Sequence, residues 1–299
     1  MGTLKKASLF PAELAKQMFS KVVGHSSLAK VSAQEPIPFN GEDVFVFDFA
    51  SNVSIVGESG AKPAGDATIA PVQIRPVKVI YQSRVSDEFI YASEEKQLEY
   101  LSAFSEGFTK KLGAALDVMA MHGVNPATGS ASSIIGSNNF DAIISSANTV
   151  VLEANSTTID ANIEAAIAKV EDEEINVSGI IMAPAARTKM AQVKEDGKTA
   201  YPDFKFGAVP SNLGGATLDV NPTVSANSNK DRVLVGDFVN AFKWGYAMNL
   251  PLEVIEYGDP DGAGHDLKQY NEVLLRSEAY IGWGILDKDA FAKVEASAG

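Results

Sequence analysis

An α+β fold follows from three stretches of the 299-residue chain. Residues 93–122 carry apolar side chains at the spacing of one long helix face. Residues 43–85 read as two extended runs around a polar tip. Residues 149–236 alternate strand and helix signals, as a separate α/β unit would.

In chain order, Pro11–Val22 is a short helical candidate whose Leu14, Met18 and Val22 form only a narrow stripe. An irregular stretch with Pro36, Pro38 and Gly41 follows. Together they read as an arm lying on another surface, such as a second subunit, with a fraying terminus as the alternative. DVFVFDFASNVSIV (43–56) alternates with Phe45, Phe47 and Phe49 on one face, which predicts a strand. IAPVQIRPVKVIYQSRV (69–85) predicts a second extended run, placed at a sheet edge by Pro71 and Pro76 because proline cannot donate to a ladder. Between them lies the tip GESGAKPAGDAT (57–68). A two-stranded hairpin is marginal alone, so it needs a partner surface, with an ordinary hairpin packed on its own domain as the alternative.

The long helix has Leu98, Leu101, Phe104, Phe108, Leu112, Leu116 and Met119 on one face. Ser93 suits its N-cap, Glu94 and Glu95 the positive end of its dipole, and Gly123 with Pro126 its stop. At 1.5 Å per residue it spans roughly 45 Å, long for a compact domain. A Gly/Ser/Thr-rich connector (125–137) leads to a strand at 149–152 and a helix from Thr158 carrying Ile159, Ile163, Ile167 and Val170. Glu171–Glu174 reads as its solvated end. Val177–Met182 predicts a buried strand, Pro184–Lys194 a helix, and Thr217–Val220 and Arg232–Val235 further strands. Residues 242–257 alternate again, with Phe242, Trp244, Tyr246 and Met248 on one side. GDPDGAGHD (258–266) reads as a turn, since it lacks the ligand ladder and distal Glu of a calcium loop. Asn271–Leu286 predicts the last strand and Asp289–Glu295 a short helix.

Composition narrows the function. Asp and Glu outnumber Lys and Arg by 38 to 25, a formal charge of −13, which disfavours a nucleic-acid reader. There is no cysteine, hence no disulfide framework and no thiolate chemistry. No apolar run reaches the ~20 residues of a membrane span, and the N-terminus lacks a secretory core, so a cytoplasmic site of synthesis is expected. No phosphate-cradling glycine loop, nucleophile elbow or HExxH is present, so no cofactor is implied. His25, His122 and His265 are scattered, reading as one helix end and two loops rather than a metal set. The carboxylates show no spacing that singles out an acid–base pair.

Three motifs in fixed order carry a family resemblance: GESGAKP (57–63) at the hairpin tip, LVGDF (234–238) as a strand with its Gly-Asp turn, and NEVLLRSEAYIGWGILDKDAF (271–291) as the closing strand. With the order of elements, they make the chain resemble the major capsid protein of tailed bacteriophages, the Hong Kong 97-type capsid fold. The resemblance implies an N-terminal arm (1–42), an extended hairpin or E-loop (43–85), a peripheral domain (86–148) with spine helix 93–122, and an axial α/β domain (149–236). Strands returning to the peripheral domain, and the C-terminus, would fill 237–299. It implies a non-enzymatic subunit that self-assembles as pentamers and hexamers into an icosahedral shell around double-stranded DNA, held without sequence-specific binding and without a membrane. Scaffolding, portal and decoration proteins are the partners it suggests; since this sequence starts almost directly at the arm, a scaffold is expected to be a separate protein, or unnecessary. The implied location is the virion capsid, assembled in the bacterial host cytoplasm.

The shell of a cellular encapsulin-type nanocompartment shares the fold, but its characteristic N-terminal segment is not evident; an acidic cytoplasmic α/β enzyme is the third reading. The family's type member joins a hairpin lysine to a neighbour's asparagine with help from a glutamate. The matching positions here are Lys62, Asn271 and Glu278. Residues 271 and 278 would face oppositely on a regular strand, so Asn271 has to sit in the preceding turn or at a bulge.

Overall fold

The computed structural model describes residues 25–49, 53–65, 67–92, 94–152, 158–249 and 252–297. The expected helix Pro11–Val22 and the Ser93 cap lie outside these. The chain opens with a one-turn helix α1 (Ser27–Val31), then strands β1 (Glu42–Phe49), β2 (Ala67–Ile74) and β3 (Val77–Ser86). Helices α2 (Glu88–Tyr91), α3 (Glu94–His122) and α4 (Phe140–Ile143) precede β4 (Thr149–Leu152) and α5 (Ile159–Glu171). Next come β5 (Gly179–Met182), α6 (Pro184–Met190), a tiny hairpin of β6 (Lys194–Glu195) and β7 (Lys198–Thr199), then β8 (Asn212–Leu213) and β9 (Ala216–Val220). The chain finishes with β10 (Asp231–Gly236), β11 (Phe242–Asn249), β12 (Glu253–Ile255), β13 (Glu272–Ile285) and β14 (Phe291–Ala296).

Two sheets organise the body. One is six-stranded in the order β4-β14-β10-β5-β9-β8, with α5 and α6 packed against it through Ile159, Ile163, Val170, Ala186 and Met190. The other is built on β13, which pairs β3 over 272–281 and, on its opposite edge, β12 and β11. Helix α3 changes character along its length. Its N-terminal half is amphipathic, but from Leu112 to Met121 nearly every side chain is buried, because both sheets and α1 close around it. Gly123 stops the helix in a left-handed conformation (φ 64°), its N–H donating to the Met119 carbonyl. No helix among the described residues is long and apolar enough to cross a membrane.

Four expectations change. The extended run 69–85 is two strands: Arg75-Pro76 breaks it, β2 staying with β1 while β3 crosses to β13. Proline's missing N–H ends the first ladder there, so the hairpin stops at Ile74. The part of the arm that is described lies on its own subunit. Leu28, Val31 and Ile37 are buried, and Gln34 bridges in parallel to Trp244. Gly245 makes this crossing possible, since a Cβ there would stand 1.6 Å from the Glu35 carbonyl oxygen. Residues 291–296 form β14, not a helix, and β14 enters the six-stranded sheet between β4 and β10 rather than the β13 sheet. Phe291 and Lys293 face one buried layer and Ala292 and Val294 the other, so burial on both sides erased the strand alternation and left Ala, Lys and Glu to suggest a helix. Finally, Met248 leaves the face of Trp244 and Tyr246 and is 42% exposed, because the β11–β13 register shifts after Tyr246.

Candidate assembly interface

The hairpin has a fixed base and an uncovered shaft. Its strands pair from Glu42↔Ile74 to Phe49↔Ala67, and among the described residues no third strand joins them. The register sets Phe45 (63% exposed) and Ile69 (55% exposed) on one face. Covering that pair would gain roughly 2 kcal/mol. Residues 53–65 at the tip are all exposed, Val53 and Ile55 fully. At the base, fully buried Ile74 packs where Gly282 and Gly284 of β13 leave room. Lys243 Nζ, 2.7 Å from Glu42 Oε1 and 3.1 Å from Glu35 Oε2, ties the first strand and the arm to β11.

The three residues singled out for crosslinking are not brought together within one subunit. Lys62 stands on the exposed tip. Asn271 is exposed, left-handed (φ 54°), and caps the 3-10 turn Lys268–Tyr270, so it lies in the turn before β13 and strand parity does not apply to it. Glu278 is half-buried inside β13, roughly 20 Å further along at the rise of a strand, and its Oε2 is 2.9 Å from Lys78 Nζ.

The polar chemistry of the interior lies elsewhere. Asp117, in the apolar half of α3, is fully buried and collects five donors. Ser26 Oγ reaches Oδ1 at 2.6 Å, and the Ser27 and Leu28 N–H groups donate at 2.9 and 3.2 Å. Thr223 Oγ1 donates at 2.9 Å and Asn221 Nδ2 at 3.4 Å. Burial pushes its carboxyl up to about 6 against the opposing pull of these bonds. A single carboxylate thus holds α1 onto α3.

One turn further on, His122, Asp141 and Asp231 gather metal-ligand-type atoms within 4.8 Å of one another. A metal does not fit, because the buried Lys293 ammonium already stands 3.1 Å from Asp141 Oδ1 and 3.4 Å from Asp231 Oδ1. Burial raises Asp231, reinforced by its hydrogen bond to Asp141, to about 8. Burial opposes the Asp141 charge too, but bonds from His122 and Asp231 and the Lys293 charge hold it far below the usual carboxylate range.

On the outer side of the β13 sheet, Arg84 pins the 258–266 turn. Its guanidinium meets Asp259 Oδ1 (2.7 Å), Asp261 and Glu272 Oε2 (2.9 Å), and Asp259 also accepts from the Ala263 and Gly264 N–H groups. The acidic pairs in this turn are therefore engaged by arginine and backbone. Sequence reading missed Asp117 and Lys293. The available signal was a charge inside an otherwise apolar run, AALDVMAM and FAKV, which is costly unless partnered.

The phage capsid family model matches residues 7–296. A solved structure from Mycobacterium phage Ogopogo is 33% identical, covering 91% of this chain and 92% of that chain at a TM-score of 0.76. One from Gordonia phage Cozz is 25% identical over 92% of this chain and 87% of that chain, at 0.77. A structure described as the capsid of a native GTA particle shares the fold at 16% identity, over 100% and 93% of the two chains and a TM-score of 0.62. No curated protein sequence matches the chain. A family match across nearly the whole length, on a body of two sheets and one long helix, settles the class: the chain belongs to the phage capsid family and is a capsid shell subunit.

Proposed function

We propose that this chain is the main building block of an icosahedral head, assembling as pentamers and hexamers in the bacterial host cytoplasm around double-stranded DNA. In this reading the hairpin is the strap, and α3 with the β13 sheet forms the peripheral domain. The six-stranded sheet with α5 and α6 forms the axial domain. The observation that carries the reading is the hairpin itself: a long two-stranded ladder that, among the described residues, is anchored only at its base, and whose Phe45 and Ile69 want a cover from a neighbouring copy. The charge of −13 suits a wall that encloses DNA without gripping it. Scaffolding, portal and decoration functions fall to separate proteins. The role is structural rather than enzymatic, and the nanocompartment and acidic-enzyme readings are not favoured by a chain of this family.

Replacing Gly57–Ala67 with a tight turn tests the strap. The shortened subunit is expected to keep its far-ultraviolet circular dichroism and to form no shells by electron microscopy. Normal shells would sink the strap assignment, and an unfolded product would place the hairpin in the core. The crosslink of Lys62 to Asn271 of another copy, assisted by Glu278, rests on the family resemblance alone. It would join the Lys62 amine to the carboxamide carbon and release ammonia. Denaturing electrophoresis of wild-type particles decides it: a covalent ladder that disappears in Lys62→Ala supports the bond, and a single band at 31.7 kDa removes it.

A further inference from the structure

Where α3 ends against the six-stranded sheet, the shell reading leaves one buried titratable group without a task. The His122 side chain is 5% exposed. Its Nε2 lies 2.9 Å from the Thr223 carbonyl oxygen, which only accepts, so Nε2 carries a hydrogen in either protonation state. Its Nδ1 has two partners of opposite kind. Asp141 Oδ2 stands 2.8 Å away as an acceptor, and Asn229 Nδ2 stands 3.0 Å away as a donor.

We propose that His122 is a proton-operated joint between α3 and the six-stranded sheet, with a hydrogen-bond partner already in place for each of its two states. In the charged state Nδ1–H donates to Asp141. In the neutral state Nδ1 accepts from Asn229, whose amide also donates to Asp141 Oδ2 at 2.7 Å, so no buried group is orphaned by the change.

The surroundings decide which state is tight. α4 supplies Asp141, and β10 supplies Asp231, whose Oδ2 is 3.9 Å from Nδ1. β14 supplies Lys293, itself paired with Glu295 at 2.6 Å. Arg232 spends an Nη1 on the Asn229 and Asp231 carbonyls, and Asp117 reaches the group from α3 through Thr223. With Asp231 raised to about 8 and holding its proton toward Asp141, the charged carboxylates of Asp141 and Glu295 face one ammonium, and the imidazolium is the second cation that balances them. Burial opposes a charged ring, but the Asp141 bond and the neighbouring carboxylates outweigh it, so the ring holds its proton above the ordinary value of about 6.5. A folded-state value raised above the unfolded one gives stability that is complete below the unfolded value and lost as pH rises through the folded one. The joint is tight near pH 6 and loosens on the alkaline side.

Hydrogen exchange of the full chain between pH 6 and 9, corrected for intrinsic rates, reads the joint at α4 and β14; every chain, the wild type at position 122 included, carries Asp231→Asn, which fixes the neutral form of the neighbour otherwise raised to about 8 in the same window. Wild type is expected to lose at least tenfold in protection over that range, and His122→Gln to be loose at pH 6 and flat thereafter. Asn229→Ala removes the neutral-state partner and should move the wild-type midpoint to higher pH. Protection independent of pH in wild type overturns the proposal, as does the same alkaline loss in His122→Gln. If that variant does not fold, an Asn229→Ala midpoint that stays or falls overturns it. The shell reading survives either result, since nothing in it uses His122.

Discussion

Replacing Asp117 by alanine probes the seat of the arm. In the wild type one buried carboxylate accepts from two hydroxyls, one side-chain amide and two backbone N–H groups. The hydroxyls can turn elsewhere, but the Ser27 and Leu28 N–H groups are fixed by α1 and would be left buried and unpaired. At about 1–3 kcal/mol for each orphaned donor, with a smaller loss from the polar side chains, Asp117→Ala should cost about 3–5 kcal/mol. The cost also has a pH signature. The carboxyl is raised from 3.8 to about 6 on folding, so its contribution is full below 3.8 and fades as pH rises through 6. Relative to the alanine variant, wild type should therefore gain about 1.4 kcal/mol between pH 7.5 and pH 5. Urea unfolding of unassembled full-length subunits at both pH values measures this, and amide exchange at Ser27 and Leu28 reports the local effect. A total loss under about 1 kcal/mol, or a gap that narrows on acidification, would refute the reasoning.

Gly245→Ala should prevent the arm from crossing β11, because the added methyl group would occupy the position of the Glu35 carbonyl. Limited proteolysis is expected to cut between residues 33 and 38 in the variant and not in wild type, and equal resistance would contradict the packing. Arg84→Ala should leave the fold intact and free the 258–266 turn, since its carboxylates lose their shared cation. Faster exchange confined to that turn is the expected reading, and unchanged exchange would mean the backbone bonds to Asp259 suffice.

Much of the architecture was legible because local and global preferences agree in it. The face from Leu101 to Met119 gave the long helix to within one residue, and the apolar end of the run Val177–Met182 reads as a buried strand because Gly179–Met182 is one. Legibility ended where burial is two-sided or where one residue type serves two contexts. In β14 both faces are covered, so nothing alternates. At Arg75-Pro76 a proline that reads as an edge marker in fact separates two sheets. The interior polar groups were invisible for a different reason. Asp117 meets Ser26 across 91 positions and Lys293 meets Asp141 across 152, and no local pattern encodes partners at such separations.

The placement of β14 has a consequence for how the subunit comes into being. β4 needs a neighbour that is made about 140 positions later, and β10 shares that same neighbour. At the usual 5–20 residues per second of translation, β4 waits on the order of ten seconds before the strand that joins it to the rest exists. Until then the sheet is two fragments with open edges, liable to pair with the wrong chain. The hairpin, completed by residue 74, is meanwhile already exposed. Such a chain makes its sticky part early and its keystone late, so crowded synthesis should favour tangled aggregates over native subunits, and a chaperone that shields the early half should raise the yield.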